Sequence, residues 1–342
     1  MSSVLSYLHG RIIPLAMAKS KVKKNLNECA RTNDCGQNVQ ESKPARSRSW
    51  IQFPVIAFVA IAIGAGAGIF AKRKFGQEEV DYSNFDASAF EMDSKELLER
   101  YKSNPKADFT PAELVNIGLE KYRQCENSYS FTIGTANTVV KQSIRNAQIK
   151  NGDRYFEEAI SKSSMVSLAN RVETTSGSGT TTLYKGKADS EEKASYNGQK
   201  ENYSDQDYKN YLGKTLQEMF VYTISNDTVF DDSKTEKLSN GNIRVFLNLD
   251  PDISTYYYKI QMKNMSNLDG LPTFNYIKQT YTFSSDMTLL HCYIDEKYQA
   301  SMGMTVSIQN TINNYYHANE YRQIPELNQS FDYSLKGEQN YE

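Results

Sequence analysis

Along this chain the spacing of apolar residues changes three times, and each change marks a boundary. From Ile51 to Ala71 there is no polar face at all: 21 consecutive residues carry no charge. At about 1.5 Å per helical residue such a run spans roughly 31 Å, the thickness of a bilayer's hydrocarbon core. A cleaved leader carries a shorter apolar region behind a short basic segment. Here a 49-residue polar tail comes first, and Lys72, Arg73 and Lys74 stand where a mature N-terminus would begin. No cysteine lies in or just after the run to accept a lipid. The pattern predicts a retained transmembrane helix over 50–71.

The period then becomes helical. Asp93 with Glu96 three residues on opens a short helix through Leu97, Leu98 and Tyr101, which Asn104-Pro105 ends. Thr110-Pro111-Ala112-Glu113 is a stronger start, with a capping Thr, a tolerated first-turn Pro and a Glu that closes the box. Leu114, Ile117, Gly118, Tyr122 and Cys125 follow at helical spacing, so a helix is predicted over about 111–126.

Beyond Asn127 the period is two. Strands are predicted at 129–140, 142–150, 154–161, 165–175 and 180–186, with Asn151-Gly152 as a tight hairpin turn. Residues 187–204 read as a polar loop and 205–219 as a helix presenting Tyr208, Tyr211, Leu212, Leu216 and Met219. Further strands are predicted at 243–249, 274–283, 287–298 and 301–316, with a helix at about 252–265. In the last strand Met302, Met304, Val306 and Ile308 face one way. Antiparallel meanders with a few helices against one face make an α+β domain. The layout is a disordered basic tail (1–49), a single transmembrane helix (50–71), a linker (72–92), the α+β domain (93–325) and a polar C-terminal tail (326–342).

Charge orients this layout. The tail carries nine Lys/Arg against three acids, whereas the chain after Ala71 carries 30 against 38. The positive-inside rule places the N-terminus in the cytoplasm and the domain outside, a single-pass cell-membrane protein. Acidic balance after Lys74 leaves no basic patch, which argues against nucleic acid as a partner. Aromatics are 12% of the residues, too many for a disordered tether. Tyr (24) outnumbers Phe (15), which suits pleated strands with one wet face.

Candidate chemistry is sparse. The sequence contains no Gly-x-Ser-x-Gly, His-Glu-x-x-His or phosphate-binding loop, so a cofactor-free, non-catalytic binding role is expected. Asp205, Asp207 and Asn210, and Asn248, Asp250 and Asp252, fail the calcium-loop pattern at its glycine or glutamate positions, so no metal is expected. At period two His291 shares a wetter face with Leu289 and Tyr293, opposite Leu290, Cys292 and Ile294. Cys125 and Cys292 fall on apolar faces, as two buried thiols or as one disulfide. Met302, Met304, Val306 and Ile308 either fill the core or line a cavity for a lipid. Ala60, Gly64 and Gly68 form a small-residue row through which two copies could pair in the membrane, which is itself a partner; a lipid or an envelope protein is the other partner class.

The order of these elements resembles the bacterial extracytoplasmic lipoprotein-carrier (LolA-like) superfamily over about 110–324. The resemblance rests on the capped helix before Tyr129–Val140, the turn Asn151-Gly152-Asp153, the returning Arg154-Tyr155-Phe156 and the strand pair around Phe274–Phe283 and Leu289–Tyr298. It implies a curved antiparallel sheet over helices, enclosing an apolar cavity for acyl chains or lipids. It implies no particular site residue. A structural or protein-interaction module with a filled core is the alternative, and an enzyme with no recognisable motif is the third.

Overall fold

The computed structural model describes residues 85–333 apart from 139, 213, 214, 219, 267 and 302. The predicted span at 50–71, with Ala60, Gly64 and Gly68, lies outside the described residues, as does Met302. Among the described residues no helix is long and apolar enough to cross a membrane.

Local chemistry starts the first two helices where the sequence placed them. In α1 (Ser94–Ser103) the Asp93 carboxylate accepts the N–H groups of Lys95 and Glu96. In α2 (Pro111–Arg123) Thr110 accepts from the Glu113 N–H at 3.2 Å, and the Glu113 carboxylate accepts from the Thr110 N–H at 2.8 Å. That reciprocal box satisfies two of the donors that a helix start leaves without partners. Gly118 lets α2 lie directly on the sheet, because a Cβ there would stand 2.1 Å from a ring carbon of Phe283.

Two meanders follow. The first is β1 (Asn127–Asn137), β2 (Lys141–Asn151), β3 (Arg154–Lys162), β4 (Ser167–Thr175), β5 (Thr180–Ala188) and β6 (Ala194–Ser204). The second is β7 (Lys234–Lys237), β8 (Ile243–Leu249), β9 (Thr273–Phe283), β10 (Leu289–Ser301) and β11 (Thr305–Ala318). β1 pairs with β11, so the meanders join into one 11-stranded antiparallel sheet ordered β6-β5-β4-β3-β2-β1-β11-β10-β9-β8-β7. Two more helices, α3 (Asp205–Leu212) and α4 (Tyr256–Ser266), come after β6 and β8. An α+β fold with a large antiparallel sheet is what the pattern predicted.

Several expectations need correction. Residues 187–204 are not a loop throughout, since β6 occupies their second half. Of the helix expected over 205–219, Asp205–Leu212 is helical, and among the described residues after it a 3-10 turn at Leu216–Glu218 follows. β7 had no counterpart in the prediction. Residues 85–92 pack against the domain instead of holding it away: Phe85 stacks on Phe90 at 5.7 Å and lies against Tyr256. The segment read as the start of a polar tail is also packed, with Phe331 and Tyr333 buried.

The sheet therefore has two covered faces. Over one face α1, α2, α4 and residues 220–224 enclose the larger core, which includes Leu98, Val115, Ile277, Phe283 and Tyr298. Across the opposite face of β1–β6 runs the segment after β11, whose Phe331 and Tyr333 join Tyr129, Phe131, Ile149 and Phe156 in a second core. Backbone bonds tie this strap down. Arg171 donates to the carbonyls of Pro325 and Glu326, and the Ala194 and Tyr196 N–H groups on edge strand β6 donate to Ser330 and Asn328. The other edge, β7, is four residues long and reads Lys-Thr-Glu-Lys, a form that discourages further strand pairing.

Candidate binding chamber

Strand register lays out a polar floor on the helix-covered face. Glu157 of β3 pairs with Gln148 of β2, Gln148 with Ser130 of β1, and Ser130 with Tyr316 of β11. The adjacent row runs Asn146, Thr132, Asn314, Cys292 and Tyr281 from β2 to β9. Period two puts all of these side chains on one face. Within the second row Thr132 Oγ1 donates to Asn314 Oδ1 at 2.6 Å, and Asn314 Nδ2 donates to the Cys292 carbonyl at 3.2 Å.

A roof of aromatic side chains stands over this floor. It comes from α3 (Tyr208), the segment after it (Phe220, Tyr222) and α4 (Tyr258). Phe220 of the roof meets Tyr316 of the floor, their ring centroids 6.4 Å apart, and elsewhere a chamber of about 140 Å³ remains between the two. The roof is held by one buried acid. Glu296 of β10 accepts from Tyr222 Oη at 2.7 Å, Tyr258 Oη at 3.1 Å and Asn310 Nδ2 at 2.7 Å. Burial raises the Glu296 pKa above the usual carboxylate range, although its three donors favour the charged form.

Glu157 is the chamber's own acid. It is only 8% exposed and accepts from Asn146 Nδ2 at 2.7 Å. Burial pushes its pKa up to about 7, with the Asn146 and Gln148 amides pulling the other way. Its charge in turn adds to the effect of burial in raising the Tyr208 pKa. The far end of the chamber, toward β10 and β11, is apolar, with Ile294 and Ile312 beside Tyr281.

A second, outer cleft of about 490 Å³ lies between the start of α1, the side of α2 and residues 218–224. Phe220 and Tyr222 line both spaces. Asn116 of α2 fixes that shared wall by donating to the Ile224 carbonyl at 2.7 Å.

The residues singled out from sequence are elsewhere. Val306 and Ile308 are buried in the larger core, Met304 is 48% exposed at the turn before β11, and neither space is lined by any of the three. Cys125 and Cys292 are free buried thiols, so the disulfide alternative is corrected. Cys125 Sγ lies 3.5 Å from the Lys121 carbonyl at the end of α2, whereas Cys292 sits in the floor, where burial raises its pKa. His291 is half-buried, its Nε2 3.2 Å from Asn313 Oδ1. A register shift between Leu289 and His291 turns Leu289 into the core with Cys292, not onto the face of His291 as strict alternation predicted. Tyr258 is buried and Tyr316 lines the chamber, while Tyr315 on the opposite face stacks on Phe131. Among the described residues no group of three or more His, Cys, Asp or Glu side chains is arranged to hold a metal ion.

No feature of the sequence marked Glu157, because the chamber draws its walls from β1, β2, β3, β9, β10, β11, α3, α4 and the segment after α3. The one available signal was the run Ser128, Ser130, Thr132 opposite Tyr129, Phe131, Ile133. No protein-family model matches the chain, and a search of the curated proteins finds no match.

Proposed function

We propose that this protein is a membrane-anchored, non-catalytic binding module that takes a small ligand in the chamber beneath its sheet. The observation that carries the reading is the chamber itself: a floor of hydroxyl, amide and carboxyl groups facing a roof of tyrosine and phenylalanine. A few convergent polar groups against aromatic walls fix the orientation of a ligand while the rings supply contact area. Its volume of about 140 Å³ is smaller than the roughly 300 Å³ at the low end of ordinary ligand pockets, which favours a small polar molecule over an acyl chain. The resemblance to lipoprotein carriers supports the location, under the sheet on its helix-covered side, more than it supports a lipid as cargo. The uncharged run from Ile51 to Ala71 supports the anchor, and the basic tail supports a domain held on the outer side.

Native mass spectrometry of the full chain, released from membrane mimetic in the spectrometer, tests the binding reading. A small bound mass that disappears in Ser130→Leu, which grows into the middle of the floor, is the expected result. A bare chain that takes up nothing from a library of small polar molecules would overturn it. Protease added to intact cells tests the topology: the domain should be digested, and digestion only after lysis would reverse the assignment.

A further inference from the structure

We propose that the ligand of this chamber is a small amphiphilic amine, its ammonium group on Glu157 and its apolar part against the aromatic roof at that end of the chamber. This rests on the reading of the chamber as a binding site. The argument begins with charge. Glu157 is a buried carboxyl whose hydrogen-bond partners are the neutral amides of Asn146 and Gln148, and among the described residues no ion pair reaches it. A carboxylate in that position is costly unless a cation arrives. Two other buried acids differ from it: Glu296 has three neutral donors and does not line the chamber. Glu158, on the opposite face, accepts from Tyr196 Oη and the Phe331 N–H, and the Arg171 guanidinium lies close enough to stabilise its charge.

Geometry supplies the remaining constraints. Glu157 and Tyr316 belong to one row across four neighbouring strands. At about 4.8 Å per strand that row is roughly 14 Å long, more than a ligand of the chamber's volume can span, so the amine occupies the Glu157 end. Tyr208 roofs the acidic end, and an ammonium beside an aromatic face gains a cation–π attraction that strengthens on desolvation. An apolar cavity of about 150 Å³ accommodates benzene, so a chamber of this volume suits a molecule of roughly six to nine non-hydrogen atoms. An organic anion of the same size would meet Glu157 with the wrong sign. Phe220 and Tyr222 line both spaces and so form a wall shared by the chamber and the outer cleft.

Phenethylamine, 2-phenylethanol and phenylacetate share a tail and differ in the charge of the head, so they serve as probes. Calorimetric titration of the full chain in nanodiscs at neutral pH should give at least about tenfold tighter binding of the amine than of the alcohol, with phenylacetate weakest. Glu157→Gln keeps the amide contacts and removes the charge. It should cost the amine about tenfold or more and leave the alcohol within about twofold, while Ser130→Leu should abolish binding of both. Equal binding of amine and alcohol, insensitive to Glu157→Gln but lost in Ser130→Leu, would overturn the amine assignment and leave the chamber reading standing. Binding that survives Ser130→Leu would place the ligand elsewhere and overturn both. If none of the three probes binds, the amine assignment fails, and the mass measurement decides the chamber reading separately.

Discussion

Glu157 and Glu158 are consecutive on β3, both are buried, and the pleat sends them to opposite faces of one sheet. On the strap side, Glu158 is enclosed by Tyr196, the Phe331 backbone and Arg171 beneath an aromatic core. On the helix side, Glu157 has two neutral amides and an open chamber. Burial raises the pKa of both acids, but only Glu158 has a cation beside it. On the strap face Glu158 finds its donors and a cation within the chain, although the Tyr333 hydroxyl is buried there without a hydrogen-bond partner. The helix face leaves a polar floor facing empty volume, and that difference separates a structural core from a site.

Variants at the two acids and their covers should pull the faces apart. Glu158→Ala should have the largest effect, a loss of about 4 kcal/mol in denaturant unfolding, because it leaves the Phe331 N–H and the Tyr196 hydroxyl buried without their acceptor. A loss below about 1 kcal/mol would mean that the strap side is no better organised than the chamber side. Phe331→Ala, which empties the strap core, should cost about 3 kcal/mol by the same measurement.

Glu157→Gln should act in the opposite direction. The folded state holds the Glu157 proton up to about pH 7, against 4.5 for an ordinary glutamate, so the native protein binds more protons within that window. Stability contributed by this group is present at low pH and lost as pH rises through about 7. The variant should therefore be more stable than the parent by about 2 kcal/mol at pH 8, and the gap should close by pH 4. Unfolding curves of both proteins at the two pH values would show it; a gap that does not change with pH would contradict the assignment. Thr110→Ala should be the mildest, costing about 1 kcal/mol in thermal unfolding by removing one half of the α2 capping box.

Local rules made part of this molecule legible. The capping residues Asp93 and Thr110, the glycine turn at Asn151-Gly152 and the alternation in β8 and β9 each carry their signal within a few residues. β6 did not, because Asn197 to Asn202 are exposed and polar, and an edge strand with little buried surface has no apolar alternation to read. The strap was overlooked although Phe331 and Tyr333 are spaced two apart, since two aromatics in a polar stretch are a weak signal beside the charges around them. The floor was illegible for a different reason. Ser128, Ser130 and Thr132 alternate with Tyr129, Phe131 and Ile133, which in a sheet with one covered face means solvent on the polar side. Here both faces are covered, and the polar side is buried. Sequence shows alternation; only the tertiary cover decides whether the polar half meets water or a cavity.

The pairing of the first strand with the last also has a consequence in time. Asn137 and Gln309 are partners across β1 and β11, yet 172 positions separate them. A ribosome adding about 5–20 residues per second makes β11 on the order of ten to thirty seconds after β1. Throughout that interval one side of β1, including the peptide groups around Phe131, has no native neighbour. The centre of the finished sheet is thus a free edge while the chain is being synthesised, and it closes only when β11 arrives, with the strap still to follow.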